Sequence, residues 1–163
     1  MLFIIQQGYM FLKSFELKLS VVFGLLLSLS FVSSAQADEC YPLNVIGDTG
    51  TTVKKTVSPF STLVTSNNWN TDFTVPSDYS FNSYEATIVP ENNANYDVEL
   101  SLKYRDLSSS RSYKKDNVAV KVGQPLNLIG IPQSPRNPSQ INVFVGGLNA
   151  IGNTYSVSVV GCI

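Results

Sequence analysis

The stretch Tyr96 to Tyr104 reads Y-D-V-E-L-S-L-K-Y, and it alternates without a break. Tyr96, Val98, Leu100, Leu102 and Tyr104 fall on one side of an extended chain, and Asp97, Glu99, Ser101 and Lys103 fall on the other. Period two of this kind marks a β-strand with one face in a core and one face in water. A strand of this type needs a second sheet to cover its apolar face, so the remaining sequence is read for strands that could supply one.

Working outward, Ser83–Val89 places Tyr84, Ala86 and Ile88 together. Trp69–Val75 places Trp69, Thr71, Phe73 and Val75 together, and Thr154–Val160 does the same for Tyr155, Val157 and Val159. Shorter strands are expected at Cys40–Ile46, Thr51–Val57, Phe60–Val64, Asn117–Val122, Leu126–Ile131 and Ile141–Val145. Turns fall at Gly47–Gly50, Ser66–Asn68, Pro76–Asp78, Pro90–Asn95, Gly123–Pro125 and Gly146-Gly147. Asp106–Asp116, with three consecutive serines, reads as a solvated loop. Pro132–Gln140 carries Pro132, Pro135 and Pro138 and reads as a rigid surface loop. No stretch from residue 38 onward has helical periodicity. The expected fold is all-β, an antiparallel β-sandwich of jelly-roll or immunoglobulin-like type.

A cleavable signal peptide is expected to precede it. Lys13 and Lys18 open an apolar run, Leu19–Val32, and Ala35-Gln36-Ala37 is a small-x-small cleavage site. The run is shorter than the roughly 20 apolar residues of a spanning helix and is interrupted by Ser20, Ser28 and Ser30. Met10 opens a better-proportioned signal than the apolar Met1–Tyr9 and is the expected true start. Residues 1–37 are therefore assigned to the signal and 38–163 to one sandwich domain. Ala37-Asp38-Glu39 before Cys40 does not suit a bacterial lipoprotein, and no later run is long enough for membrane insertion. The location is read as periplasmic, cell-surface or extracellular.

Cleavage removes two basic residues and one acidic residue, leaving nine basic against eleven acidic side chains. The basic residues form no stripe beyond Lys54-Lys55 and Lys114-Lys115, which argues against a nucleic-acid partner. Cys40 and Cys162 sit near the two ends of the exported chain, and in an oxidising compartment they are expected to pair.

Catalytic chemistry finds little purchase. The chain contains no histidine. That removes the commonest general base and zinc ligand, along with Ser-His and Cys-His pairs. No nucleophile elbow, phosphate loop or dinucleotide fingerprint is present. Scattered carboxylates leave only a small carboxylate-dependent hydrolase in view.

Two weak binding patterns remain. Glu91, Asn93, Asn95 and Asp97 recur at alternate positions and offer oxygens for calcium. An EF-hand loop wants Gly where Tyr96 stands, and an Asn-rich hairpin turn explains the same residues. Trp69, between Asn68 and Asn70, could stack on a sugar ring while the amides bind its hydroxyls. A lone Trp at a strand start is more commonly a core plug, and Trp69 shares its face with Phe73 and Val75. Most of Tyr79, Tyr84, Tyr96, Tyr104 and Tyr155 are read as core. Partner contacts are expected at Asp106–Asp116 and Pro132–Gln140.

Gly152–Val160 (G-N-T-Y-S-V-S-V-V) resembles the last strand of some exported pilus subunits and of pre-peptidase C-terminal sandwich domains, and D-F-T-V-P (Asp72–Pro76) resembles the latter. The resemblance implies a β-sandwich. Cys40 departs from the free N-terminal extension that donor-strand pilins lend to a neighbour. The sequence reading is thus an exported, non-enzymatic β-sandwich that binds an unknown protein or glycan and carries no cofactor. Its alternatives are a structural subunit of an envelope or extracellular assembly, and the small hydrolase.

Overall fold

The structure is a computed structural model, and it describes residues 39–59, 68–133 and 136–163. The signal-peptide assignment, the Met10 start and the strand at Phe60–Val64 lie outside these residues. Among the described residues, no helix is long and apolar enough to cross a membrane.

Among the described residues, ten strands form two antiparallel sheets. They are β1 (Cys40–Pro42), β2 (Asn44–Val45), β3 (Thr52–Thr56), β4 (Asn70–Thr74), β5 (Ser83–Pro90), β6 (Ala94–Lys103), β7 (Ser109–Val120), β8 (Leu126–Gly130), β9 (Gln140–Gly146) and β10 (Thr154–Cys162). Sheet A runs β1-β10-β5-β8, with β3 beside β1 along the same side of β10. Sheet B runs β2-β4-β9-β6-β7. Successive strands cross from one sheet to the other from β7 to β10, and the order β3-β10-β5-β8 over β4-β9-β6-β7 is the double Greek key of a jelly roll. The immunoglobulin-like alternative is set aside by this connectivity.

The core lies between the sheets. Strand β6 supplies its centre: Tyr96, Val98, Leu100 and Leu102 are at most 1% exposed, and Tyr104 just beyond is also buried. Opposite stand Tyr84, Ala86 and Ile88 of β5, Leu128 of β8, and Tyr155, Val157 and Val159 of β10. The first expected strand is divided. β1 pairs with β10 and β2 with β4, so the chain changes sheets at the buried Leu43. Pro42, which has no N–H to offer, ends the first ladder. Cys40 faces Cys162 in that ladder, and the two form a disulfide across 122 residues of chain.

One segment departs from expectation. Asp106–Asp116 is not a loop: only its start turns, and Ser109 onward belongs to the twelve-residue β7. This strand ends sheet B and hairpins with β6, so backbone bonds hold it and its side chains can stay polar. Its register shifts twice against β6, between Tyr96 and Val98 and between Leu100 and Ser101. Each shift inserts a residue and erases the period-two signal. Asn117 sits at one shift with φ 55°, a left-handed conformation that Asn tolerates. Val122, expected to share a face with Val118 and Val120, lies beyond the strand and is exposed.

Candidate functional site

The outer face of sheet B carries three rows of side chains, set by strand register. Asn70, Phe144, Glu99 and Lys114 form the first, across β4, β9, β6 and β7. Asp72, Asn142, Ser101 and Arg111 form the second, and Thr74, Gln140, Lys103 and Ser109 the third. Ile141, Val143 and Val145 alternate inward from β9, so Asn142 and Phe144 must point away from the core.

Six of the polar members are bonded to one another. Lys103 Nζ donates to Asp72 Oδ1 at 2.7 Å, and Asn142 Nδ2 donates to the same oxygen at 2.9 Å. Ser101 Oγ donates to Glu99 Oε1 at 2.9 Å, while Arg111 Nε sits 2.9 Å from Glu99 Oε2. Asn142 is only 7% exposed although it faces outward, and its amide is held by Asp72. This outer face, with the two depressions it carries, is here called the trough.

Phe144 is the aromatic in this floor, and it is half-buried. It lines a depression of about 220 Å³ with Asn70, Asp97, Glu99, Lys114 and Asp116. A second depression, about 270 Å³, lies at the β2–β4 edge among Asp48, Lys55, Asn70 and Asp72. Asn70 belongs to both, so they meet across the strands. Lys55 reaches over from β3 to donate to Asn70 O at 2.6 Å and Thr71 Oγ1 at 3.1 Å. Burial lowers the pKa of its ammonium, opposed by the charge of Asp72.

The sequence-derived candidates distribute unevenly over this site. Trp69 is not an open sugar platform. It is 9% exposed, its Nε1 donates to Ser58 O at 2.8 Å, and its ring fills the space left by Gly146. It meets Phe144 edge-on, with ring centroids 5.8 Å apart. Asn68 is a local staple: its N and Oδ1 bond Ser58, and its Nδ2 donates to Thr56 O. Asn70 alone of the three reaches the trough. Phe144 was missed because it sits in an apolar run. The signal was present in its register, since a residue between two inward valines must face out.

The calcium set does not converge. Glu91 pairs with Lys54 at 2.7 Å, and Asn93 Oδ1 accepts from Val122 N. Asn95 Nδ2 donates to Asn117 Oδ1, and Asp97 Oδ1 accepts from Asn117 N. Glu91 reaches β3, Asn93 holds the turn after β7, and Asn95 and Asp97 clasp the β7 bulge. Among the described residues no cluster of three or more His, Cys, Asp or Glu could hold a metal.

The two segments expected to carry partner contacts do meet, at one end of the sandwich. Arg136 NH1 lies 2.5 Å from Asp106 Oδ2, and its guanidinium stands 5.5 Å from the centroid of Tyr104. They border a cleft of about 410 Å³ with Val75, Ser77 and Asn137. Hydrogen bonds from Ser108 and then Arg136 hold the Asp106 carboxyl down to about 2. A carboxyl so held stays ionised, the opposite of what a general acid requires. Tyr84, Tyr96, Tyr104 and Tyr155 are core residues, whereas Tyr79 is 39% exposed beside Tyr41.

No protein-family profile matches the sequence, and no characterised protein matches it. Among solved structures, it is similar to the C-terminal family 22 carbohydrate-binding module of Clostridium thermocellum Xyn10B, at 15% identity over 76% of this chain and 91% of that one, TM-score 0.40. The CBM22-1 xylan-binding domain of Paenibacillus barcinonensis Xyn10C matches at 10% identity over 80% and 98%, TM-score 0.38. A family 29 carbohydrate-binding module variant matches at 7% identity over 77% and 79%, TM-score 0.41. Likeness at this level assigns no function.

Proposed function

We propose that the protein is an exported, non-catalytic binding module that takes a glycan in the trough on sheet B, with Phe144 as its stacking surface. The observation that carries this reading is Phe144 itself: an outward aromatic beside the Asn70 amide, the Lys114 ammonium and the bonded carboxylates of Asp97 and Glu99. A sugar presents an apolar C–H face and a rim of hydroxyls. A ring flanked by fixed donors and acceptors matches both at small ordering cost.

The charges on the face are largely satisfied among themselves: Glu99 by Arg111, and Asp72 by Lys103. This favours a neutral glycan over an anionic one. The same bonds engage Asp72 and Glu99, two of the carboxylates a hydrolase would need free.

The test is affinity electrophoresis against soluble neutral polysaccharides: a xylan, a mannan, a β-glucan and an α-glucan. Wild-type protein should be retarded in at least one gel. Phe144→Ala should lose that retardation while its circular dichroism stays unchanged, a loss on the order of 1–3 kcal/mol as for aromatic anchors elsewhere. Unchanged retardation of Phe144→Ala would move the site elsewhere, and no retardation in any gel would remove the glycan reading.

A further inference from the structure

The third row of sheet B leads into a second, differently charged site. Lys103 on β6 is the register partner of both Gln140 on β9 and Ser109 on β7. With Tyr104, Arg105 and Leu107 of the turn that follows β6, these residues border a cleft of about 420 Å³. That volume fits a small ligand, since small-molecule pockets run from about 300 to 1,000 Å³. No residue lining the cleft carries a carboxylate.

The acids tied to this region are committed elsewhere. Asp72 holds Lys103 Nζ at 2.7 Å. Asp106 lines the neighbouring cleft rather than this one, and there it pairs with Arg136. Ser108 N donates to Asp106 Oδ1 at 3.1 Å and Leu107 N donates to Tyr104 O at 3.1 Å, so the turn keeps its shape. Arg105 is the cation left over. It is exposed and lines both clefts. Among the described residues no other group bonds the Arg105 guanidinium, the Ser109 hydroxyl or the Gln140 amide.

We propose that this cleft binds a small acidic sugar, whose carboxylate or sulfate is held by Arg105 and whose hydroxyls meet Ser109 and Gln140. A guanidinium offers paired N–H donors to two oxygens of one oxyanion. A serine hydroxyl and a glutamine amide each donate and accept, as a sugar hydroxyl does. Leu107, 96% exposed at the rim, gives the C–H face of the ring an apolar neighbour. Its φ of 66° is costly for a bulky side chain, yet a leucine and not a glycine occupies the position. The site is separate from the Phe144 depression. Lys103 lies four residues along β6 from Glu99, about 13 Å away. It is also opposite in preference, taking charge where the Phe144 depression takes a neutral sugar, and it does not rest on that reading.

The test is an amide chemical-shift titration of the protein, at constant ionic strength, with glucuronate, a sulfated glucose, glucose and N-acetylglutamate. Glucuronate or the sulfated glucose should shift Arg105, Leu107, Ser109 and Gln140 with saturation, and the tighter of the two identifies the oxyanion. Glucose lacks the anion and N-acetylglutamate lacks the ring, so neither should saturate over the same range. Arg105→Gln should weaken binding at least about tenfold, as expected for loss of a hydrogen bond to a charged group. Lys121→Gln removes the same charge just past the far end of β7 and should leave binding unchanged. Failure of both acidic sugars to saturate these residues would overturn the proposal. So would equal binding of glucose or N-acetylglutamate, or wild-type binding by Arg105→Gln. None of these readouts involves Phe144, so this proposal and the trough reading can fail independently.

Discussion

Gly146 shows how tightly the floor of the trough is built. A Cβ placed on it would lie 2.5 Å from the Trp69 ring. That ring cannot swing away freely, because Ser58 holds its Nε1 and Phe144 meets its edge. Gly146→Ala should therefore destabilise the protein by about 1–3 kcal/mol, the usual cost of overpacking. Denaturant unfolding followed by fluorescence reads this directly, since Trp69 is the one tryptophan in the chain. The same substitution tilts Phe144 indirectly, so it should weaken any ligand that stacks there. Asp106 makes a different residue-scale prediction. Its folded-state pKa is depressed to about 2, so its ion pair with Arg136 contributes above the unfolded carboxyl value and is lost as pH falls through about 2. Carboxyl carbon NMR should show Asp106 titrating well below the usual carboxylate range, and Arg136→Ala should move its midpoint upward. An ordinary midpoint in wild type would show that the latch is open in solution.

At the scale of elements, sheet B is held by more than its backbone ladders. Asp72 on β4 receives Asn142 from β9 and Lys103 from β6, so one carboxylate ties three strands. Lys103 can turn to water when that acceptor is lost, but Asn142 at 7% exposure cannot. Asp72→Ala should cost about 1–3 kcal/mol, the penalty of an unsatisfied buried amide, and Asp72→Asn, which keeps an acceptor, should cost less. Chemical denaturation of both variants gives the comparison. The strands differ in how plainly the sequence announced them. β6, β5 and β10 were legible because one face of each is uniformly buried and period two survives. β7 was hidden by its two register shifts and by side chains that an edge strand is free to keep polar. The β1–β2 break was hidden because a change of sheet at Leu43 leaves the local apolar pattern intact. Trp69 is buried, as its shared face with Phe73 and Val75 suggested, whereas Phe144 went unread although its place between inward Val143 and Val145 sets it outward.

For the whole molecule, the jelly roll sets β1 beside the end of β10, and the disulfide locks the two strands there. Closing a loop of this length is worth about 4–5 kcal/mol on the chain-entropy model. Reduction should lower the unfolding midpoint substantially without changing the native far-ultraviolet spectrum, and Cys40→Ser with Cys162→Ser should reproduce it. The sandwich is then a rigid frame that presents two distinct surfaces: a polar trough with one aromatic on sheet B, and a cationic cleft beyond its third row of side chains. The central claim concerns the first. Its most direct measurement is amide chemical-shift mapping of the protein titrated with the polysaccharide that retards it most, shortened to soluble oligosaccharides. The account predicts the largest shifts at Asn70, Glu99, Lys114 and Phe144, with the Tyr79 end and β8 unmoved. Shifts centred on Tyr41 and Tyr79, or on the Asp106–Arg136 cleft, would contradict it.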